Sequence, residues 1–204
     1  MALLVIDPLV EKELIADRRA SGADRYDEVW EGTYVLSPLA NSEHQRLASR
    51  LSTIFDLVIG LTGLGDVLAG SNVSDRARGW AKNYRVPDVV VRLAGGKAII
   101  HKTHWQGGPD FVVEIVSQGD KTREKLDFYS KIGVRELLIV DREPWSLELY
   151  RPKRKKLTVV GKSTVSTGAR LESAVVPLSF RLRKIENAPR IEVEHLESDQ
   201  KWVI

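Results

Sequence analysis

The chain has 204 residues, of which 43% are hydrophobic and 29% are charged. This is the composition of a folded globular protein, and it excludes a disordered chain or a fibrous repeat. Lysine and arginine total 31 while aspartate and glutamate total 28, so the net charge of +3 neither demands nor excludes an anionic partner. There is no cysteine, which excludes disulfides, thiolate nucleophiles and zinc sites built on thiolates.

The N-terminal part of the chain predicts a helix, a hairpin and a longer helix. Helical spacing of apolar residues predicts the first helix over 8–21, and the apolar run before it is too short for a signal peptide or a membrane span. A turn at Glu31–Gly32 between two short apolar segments predicts the hairpin. The second helix is predicted over 41–61, with Asn41 or Ser42 as its cap. We expect a cytoplasmic protein without a membrane segment.

The middle of the chain predicts several strands and one crossover connection. Apolar runs bounded by turn residues predict strands over 67–73, 86–93, 98–101 and 110–116. A helix over 120–132 and a buried strand over 136–141 follow. Strand, helix and strand in this order form a right-handed crossover, which implies that the two strands are parallel.

The last part of the chain predicts mainly β-structure. A hairpin is expected over 145–160, with the basic run 151–155 as its tip, and short apolar alternations continue to residue 204. The whole pattern predicts an α/β fold, a mixed β-sheet flanked by helices, in one domain over 1–204. In that domain the core lies at about 26–150 and a β-rich tail at 151–204.

Two acidic residues lie within predicted strands. Asp88 follows Pro87 at the entry of one apolar strand, and Glu114 lies in the middle of another. A charge inside an apolar strand is costly unless it is paired, protonated or bound to a cation. If the two strands are neighbours, the carboxylates can converge on one Mg²⁺ or Mn²⁺, since hard cations prefer oxygen ligands. Such a cation polarises a phosphodiester, and Lys121 or Lys125 on the next helix would stabilise the added charge.

Asp110 lies on the same predicted strand as Glu114 and on the same face. At about 3.3 Å per residue the two positions are about 13 Å apart, which is too far for one shared ion. We therefore expect Asp88 to be the partner of Glu114, and Asp110 to be a turn residue after Pro109.

Four stretches of the chain, taken together, resemble one known family. They are Glu28–Pro38 followed by His44, Arg85–Val91, Gly108–Ser117, and Lys125–Asp141. In this order they are similar to the Uma-type family of restriction endonucleases, within the PD-(D/E)XK nuclease superfamily. The resemblance covers the chain from residue 28 to about residue 150.

The resemblance implies a restriction-endonuclease-like α/β fold, a divalent metal ion and hydrolysis of nucleic-acid phosphodiesters. By position, Asp88 and Glu114 would be metal ligands, and Ile115 would offer its backbone carbonyl to the same ion. The superfamily lysine, two positions after the glutamate, falls on Val116, and Lys125 on the following helix takes its place as it does in the Uma-type sequences.

The outer positions depart from the family pattern. The acid often found four residues before the lysine is Lys121, with Asp120 as its nearest substitute, and Thr33 stands where the family has an acid. The resemblance implies that His44 could orient the scissile phosphate or a water molecule; otherwise it is a hydrogen-bonded residue at a helix start. Glu28 could be an outer metal ligand or one member of a cross-strand charge pair.

Each central candidate also has a structural interpretation. Asp88 could be a turn residue at the entry of its strand, and Glu114 could form an internal ion pair with Lys125 or Arg135. Lys125 could be a solvated helix residue. The histidine pair in 101–104 has no further ligand nearby and does not predict a zinc site.

The sequence therefore favours a metal-dependent nuclease that acts on nucleic acid, DNA rather than RNA, and that forms a homodimer by analogy with enzymes that cut two strands. The alternative is a protein of the same fold that binds nucleic acid or a partner without cleavage. A third interpretation is a β-rich interaction module, based on the aromatic hairpins near Trp30 and Trp145. That interpretation predicts that Asp88 and Glu114 point to different places.

Overall fold

The computed structural model describes residues 3–4, 8–37, 40–117, 119 and 121–204. Within these residues there are three α-helices: α1 (Pro8–Ser21), α2 (Ser42–Phe55) and α3 (Leu126–Ile132). A π-helical turn, Asp56–Gly60, continues α2, and short 3-10 turns occupy Trp80–Lys82 and Thr122–Lys125. None of the helices in the described ranges is both long and apolar enough to span a bilayer.

The strands are short at the N-terminal end of the chain and long at the C-terminal end. They are β1 (Leu3–Leu4), β2 (Glu28–Trp30), β3 (Thr33–Leu36), β4 (Gly65–Ala69), β5 (Val73–Ser74), β6 (Tyr84–Arg85), β7 (Val89–Leu93), β8 (Ile99–Ile100), β9 (Trp105–Gln106), β10 (Phe111–Ile115), β11 (Glu136–Arg142), β12 (Trp145–Lys153), β13 (Lys156–Thr164), β14 (Leu171–Glu172), β15 (Leu178–Ile185), β16 (Ala188–His195) and β17 (Lys201–Val203).

The described strands form three sheets. The central sheet has the order β13-β12-β11-β10-β7-β4, the N-terminal sheet β1-β3-β2-β6-β5-β9-β8, and the C-terminal sheet β14-β15-β16-β17. Together with the helices they confirm the predicted α/β class. The expected single mixed sheet is in fact divided among three.

The central sheet sets the position of the two strand-borne acids. β10 is parallel to β11, which confirms the predicted crossover through α3. On its other side β10 is antiparallel to β7, with Val113 opposite Val89 and Phe111 opposite Val91. These apolar residues are buried, and a slip of one residue would turn them away from the core. The register is therefore fixed by packing.

Both faces of the central sheet are covered, which explains why its strands are apolar without alternation. One face packs against α2 and the C-terminal sheet, and Phe111, Phe55 and Phe180 meet there with ring centroids 5.2 to 6.1 Å apart. The other face packs against Phe128 and Tyr129 of α3. Asp88 and Glu114 lie on this second face.

Four local predictions need correction. The strand expected over 67–73 is divided into β4 and β5, because Gly70 turns the chain there with φ +60. The helix expected over 120–132 begins as a 3-10 turn and becomes α-helical only at Leu126. The basic hairpin tip shrinks to a turn at 154–155, because β12 and β13 pair as far as Lys153 and Lys156. The helix expected over 41–61 is α-helical over Ser42–Phe55 and continues as the π-helical turn Asp56–Gly60.

Candidate active site

Asp88 immediately precedes β7 and Glu114 lies on the neighbouring strand β10, and both lie on the same face of the central sheet. Continuing the register of β7 and β10 by one residue beyond the Val113–Val89 pair places Asp88 opposite Glu114. The Asp88 Oδ2 atom accepts a hydrogen bond of 2.7 Å from the backbone N–H of Ile115. Both acids line one cavity of about 350 Å³. This arrangement is the opposite of what the interaction-module interpretation predicts.

The Glu114 carboxylate is almost completely enclosed, with its side chain 4% exposed. The Lys125 Nζ atom lies 3.2 Å from both of its oxygens, and the Tyr129 hydroxyl donates to Oε1. Burial raises the pKa of Glu114 above its usual range, although the Lys125 ammonium opposes the rise; the carboxylates of Asp88 and Glu28 add to it. The predicted ion pair with Lys125 is present, whereas Arg135 pairs with Asp110 instead.

Glu28 belongs to the same group of charges. Its side chain is 3% exposed, and Lys125 Nζ lies 2.8 Å from Oε1. Oε1 also accepts the N–H of Val86 at 2.8 Å, and Oε2 accepts the indole N–H of Trp30 at 2.6 Å. The residue opposite Glu28 on β3 is Val35, so the cross-strand charge pair considered from the sequence does not form. Glu28 instead lines the cavity with Asp88 and Glu114.

The local structure of the segment after β10 explains how Lys125 reaches both carboxylates. Lys125 ends the 3-10 turn and immediately precedes α3, which begins at Leu126. Tyr129 lies one helical turn further on, and residues four apart share a helix face. The two side chains therefore approach Glu114 from the same direction. Tyr129 was not predicted as a site residue, and its spacing from Lys125 is the signal that could have found it.

His44 reaches the site from the first turn of α2. Its backbone N–H donates to the side chain of Asn41, which caps the helix. The ring Nε2 lies 3.0 Å from the carbonyl oxygen of Ile115 and 3.4 Å from Asp88 Oδ1. Burial opposes protonation of the ring, but the hydrogen bond and charge of Asp88 outweigh it and raise the pKa of His44. His44 thus contacts two of the oxygen atoms that the family resemblance assigns to a metal ion.

Arg85 is a second buried cation, and it packs next to the strand that carries Glu28. Arg85 lies between the rings of Trp30 and Phe128, with its guanidinium carbon 4.6 and 4.2 Å from their centroids. Its Nη1 donates to the backbone oxygen of Val29, the residue after Glu28. Such stacking holds a guanidinium in place without a carboxylate in direct contact. In the sequence Arg85 is only part of a family motif, and no sequence signal marks it as buried.

The donor set fits a hard divalent cation. Two carboxylates and one backbone carbonyl offer oxygen atoms, and Asp88 and Glu114 face one cavity. No three His, Asp or Glu side chains within the described ranges form a ready ligand set. Lys125 lies against Glu114 and Glu28, and His44 lies against Asp88. Each acid to which a cation would bind therefore already has a basic side chain in contact with it: Lys125 for Glu114, and His44 for Asp88.

The remaining sequence candidates lie outside this group. Asp110 is buried and accepts the N–H of Leu93 at 2.8 Å and a hydrogen bond from Arg135 at 2.9 Å, so it is a structural residue, as expected. Lys121 forms an ion pair with Glu124 on the surface. Thr33 is exposed on β3. Asp120 lies outside the described residues.

Comparison with known structures first gives the class of fold. The chain is similar to a crystal structure described as a "putative nuclease belonging to DUF820" from Anabaena variabilis, with a TM-score of 0.54 and 16% sequence identity. The match covers 65% of this chain and 75% of that one. It shows that the two chains share a fold.

Sequence comparison then gives the family. Residues 17–183 match the Uma2 family, described as "Putative restriction endonuclease". The match covers most of the chain, so the protein belongs to this family, which confirms the resemblance and supports a nuclease function. No curated protein matches the chain.

Proposed function

We propose that the protein is a metal-dependent nuclease that hydrolyses phosphodiester bonds in DNA. The observation that carries the proposal is the convergence of Asp88, Glu114, Glu28, Lys125 and His44 from five separate segments on one cavity. Three acids and a lysine around a cavity are the groups that metal-assisted phosphodiester hydrolysis requires. The family description as a restriction endonuclease supports DNA as the substrate.

The chain's own residues have distinct roles in this proposal. Asp88, Glu114 and the carbonyl of Ile115 would hold Mg²⁺ or Mn²⁺, and Glu28, which lines the same cavity, would be a further ligand. When bound, the divalent ion would supply charge stabilisation at the phosphate and lower the pKa of an attacking water. Lys125 would stabilise the additional negative charge that develops on the phosphate. His44 would orient the phosphate or a water, since its Nε2 lies 3.4 Å from Asp88 Oδ1.

A second candidate is a protein of the same fold that binds nucleic acid without cutting it. The observation in its favour is that Lys125 neutralises two of the acids and that no ready ligand set is formed among the described residues. Calorimetry with Mn²⁺ separates the candidates. Heat of binding in the wild type supports the nuclease, while salt-sensitive DNA binding without Mn²⁺ binding supports the second candidate.

We further propose that the nuclease is cytoplasmic and acts as a homodimer, the latter by analogy with nucleases of the same superfamily. Light scattering coupled to size-exclusion chromatography measures the mass directly. A monomeric mass at micromolar concentration would contradict this part of the proposal.

The test of activity is cleavage of supercoiled plasmid in the presence of Mg²⁺ or Mn²⁺. We expect the wild type to nick or linearise the plasmid, and Asp88→Asn and Glu114→Gln each to lower the rate at least 100-fold, an order of magnitude typical for lost charge stabilisation. Glu124→Gln is the matched control, because it also removes one carboxylate from a residue whose side chain is 58% exposed and outside the cavity. Equal cleavage by all four proteins would contradict the assignment.

A further inference from the structure

Next to the active-site cavity lies a second one, and one residue lines both. Trp80, Lys82 and Tyr84 line the second cavity, which has a volume of about 720 Å³. Arg25 lines both cavities, and Tyr26 lines the active-site cavity beside it. The two cavities therefore share Arg25, in the turn that leads into β2.

Strand β2 explains this arrangement. Successive side chains of a strand point to opposite faces, so Glu28 enters the active-site cavity while Val29 lines the second one. Val29 pairs with Tyr84 on β6, which places the tyrosine in the wall of the second cavity. Arg25 is the residue that a chain occupying both cavities would contact in each of them.

The second cavity carries aromatic rings in fixed positions. Trp80 and Tyr84 meet edge to face with centroids 5.2 Å apart, and His104 stacks on Trp80 at 4.9 Å. Trp80 and Tyr84 are both half-buried, so part of each ring is accessible while the rest is packed against neighbouring residues. Rings held in this way are the platforms on which nucleic-acid bases stack, and stacking does not depend on the base sequence.

Two exposed cations along this path can bind a phosphate. Arg25 and Lys82 are exposed, and neither has a carboxylate partner in an ion pair within the described residues. Three acids also line the second cavity: Asp27 pairs with Arg18 at 2.5 Å, Asp24 pairs with Arg19 at 3.9 Å, and Glu11 of α1 is the third. On the opposite wall of the active-site cavity α2 contributes the small polar residues Ser49, Ser52 and Thr53.

We infer that the two cavities form one binding path for a single-stranded segment of nucleic acid, with a phosphate at Arg25 and bases on Trp80 and Tyr84. A duplex hides the faces of its bases, so only unpaired bases can use these rings. The acids are also recessed, with Glu114 only 4% exposed. A flexible single strand can enter such a recess more easily than a duplex, which resists bending over about 150 base pairs. The inference rests on the proposed nuclease function and names the form of its substrate.

Binding is tested with a fluorescein-labelled 20-nucleotide single strand of mixed sequence and the matching duplex, by anisotropy in EDTA. We expect the single strand to bind at least about tenfold more tightly than the duplex. Arg25→Ala should weaken binding and lower the slope of log K against log salt by about 0.7, the value for one phosphate contact on a single strand. Arg50→Ala is the matched control, because Arg50 is also exposed but lines neither cavity.

Trp80 gives the test for stacking. Trp80→Ala should weaken single-strand binding by about 5- to 100-fold, while Trp80→Phe retains most of the affinity. If Trp80→Ala does not fold, cross-linking of the wild type to a strand that contains 5-iodouracil replaces it, and the cross-link should map to Trp80 or Tyr84. Equal effects of Arg25→Ala and Arg50→Ala, or a duplex that binds as tightly as the single strand, would overturn the inference.

Failure of the inference and failure of the proposed function have different signatures. If the wild type cleaves with Mn²⁺ but the Arg25 and Trp80 variants bind the single strand normally, only the path is wrong. If the wild type neither cleaves nor binds Mn²⁺ but the variants lose single-strand binding, the path is supported and the catalytic proposal is wrong.

Discussion

Lys125 carries a positive charge between two carboxylates that are almost wholly buried. Its ammonium lies 2.8 Å from Glu28 and 3.2 Å from Glu114, and the neighbouring carboxylates raise the pKa of Lys125 against the opposing effect of burial. Removing one partner from a buried ion pair leaves an uncompensated charge, which typically costs about 3–5 kcal/mol. The lysine therefore stabilises the protein when no other cation is near the acids.

The first prediction is that a divalent cation and the Lys125 ammonium compete for the same carboxylates. Lys125→Met should lower the melting temperature in EDTA, and added Mn²⁺ should raise the melting temperature of the variant by more than that of the wild type, because the ion then meets two carboxylates without a competing ammonium. Thermal unfolding with and without Mn²⁺ measures both effects. Lys121→Met removes the same charge from the surface and should behave as the wild type. An equal Mn²⁺ shift in Lys125→Met and the wild type would contradict the prediction.

Some residues of the site could be identified from the sequence alone, and others could not. Asp88 and Glu114 were recognisable because acids within apolar strands are rare, and the geometric argument against Asp110 agrees with its structural contacts. Tyr129 and Arg85 were not recognisable, because a tyrosine on a helix and an arginine near a strand are ordinary in sequence. Their importance comes from contacts between segments far apart in the chain.

Among the elements, α2 carries a site residue, His44, directly next to its N-terminal cap. The Asn41 Oδ1 atom accepts the N–H of His44 and also a hydrogen bond from Arg142, both at 2.9 Å. His44 lies in the first turn, so the start of the helix determines where its ring meets Ile115 and Asp88. The sequence left Asn41 and Ser42 open as the cap, and the structure selects Asn41.

The second prediction follows from this cap. Asn41→Ala should lower the free energy of unfolding by about 1 kcal/mol, since it removes an N-cap, and should also reduce the cleavage rate through His44. Asn41→Asp should retain both, because a carboxylate oxygen accepts the same hydrogen bonds. Urea denaturation and plasmid cleavage are the measurements. Ser42→Ala is the control, and a loss as large as that of Asn41→Ala would contradict the role of the cap.

The C-terminal sheet contains its own buried acid. Glu192 on β16 is 2% exposed, contacts Arg181, and lies 2.7 Å from Lys201. Burial raises the pKa of this carboxyl, but the hydrogen bonds from Lys201 and Arg181 outweigh it, so the pKa of Glu192 is lowered. A carboxyl group with a lowered pKa in the folded state stabilises the protein above its unfolded pKa.

The third prediction is the pH dependence that follows. The free energy of unfolding should fall as the pH decreases below about 4.3, the usual pKa of glutamate, because the unfolded state then binds the proton first. Glu192→Gln should be less stable than the wild type at pH 7 by about 1–3 kcal/mol. The difference should shrink toward pH 3, as measured by urea denaturation at each pH. A difference that is constant with pH would show that the charge of Glu192 does not contribute.

For the whole molecule, the central and C-terminal sheets share one apolar layer. Phe55 of α2, Phe111 of β10 and Phe180 of β15 contact one another, and Phe111 and Phe180 are fully buried. The sequence could not predict this contact, because the short alternations after residue 160 predict strands but not the surface against which they pack. The parallel pairing of β10 with β11 was predictable, since a strand–helix–strand crossover follows local rules.

The fourth prediction tests this shared layer. Phe180→Ala should destabilise the protein by about 3–5 kcal/mol, as much as Phe111→Ala in the central sheet. Both variants should unfold in a single transition, measured by near-ultraviolet and far-ultraviolet circular dichroism during urea denaturation. Separate transitions in Phe180→Ala would show that the C-terminal sheet folds as an independent unit.

Asp88 and Glu114 face each other, yet the chain between them leaves the central sheet and passes through an exposed turn at Gly95, which has φ +80 and open space around it. Opening the backbone at that turn would put one acid on each of two fragments. Neither fragment would hold the complete pair, and apolar packing between β7 and β10 would provide the force that brings them together. Cleavage activity would then return only when the two fragments pair in the native register. Measuring that activity would report directly on fragment complementation.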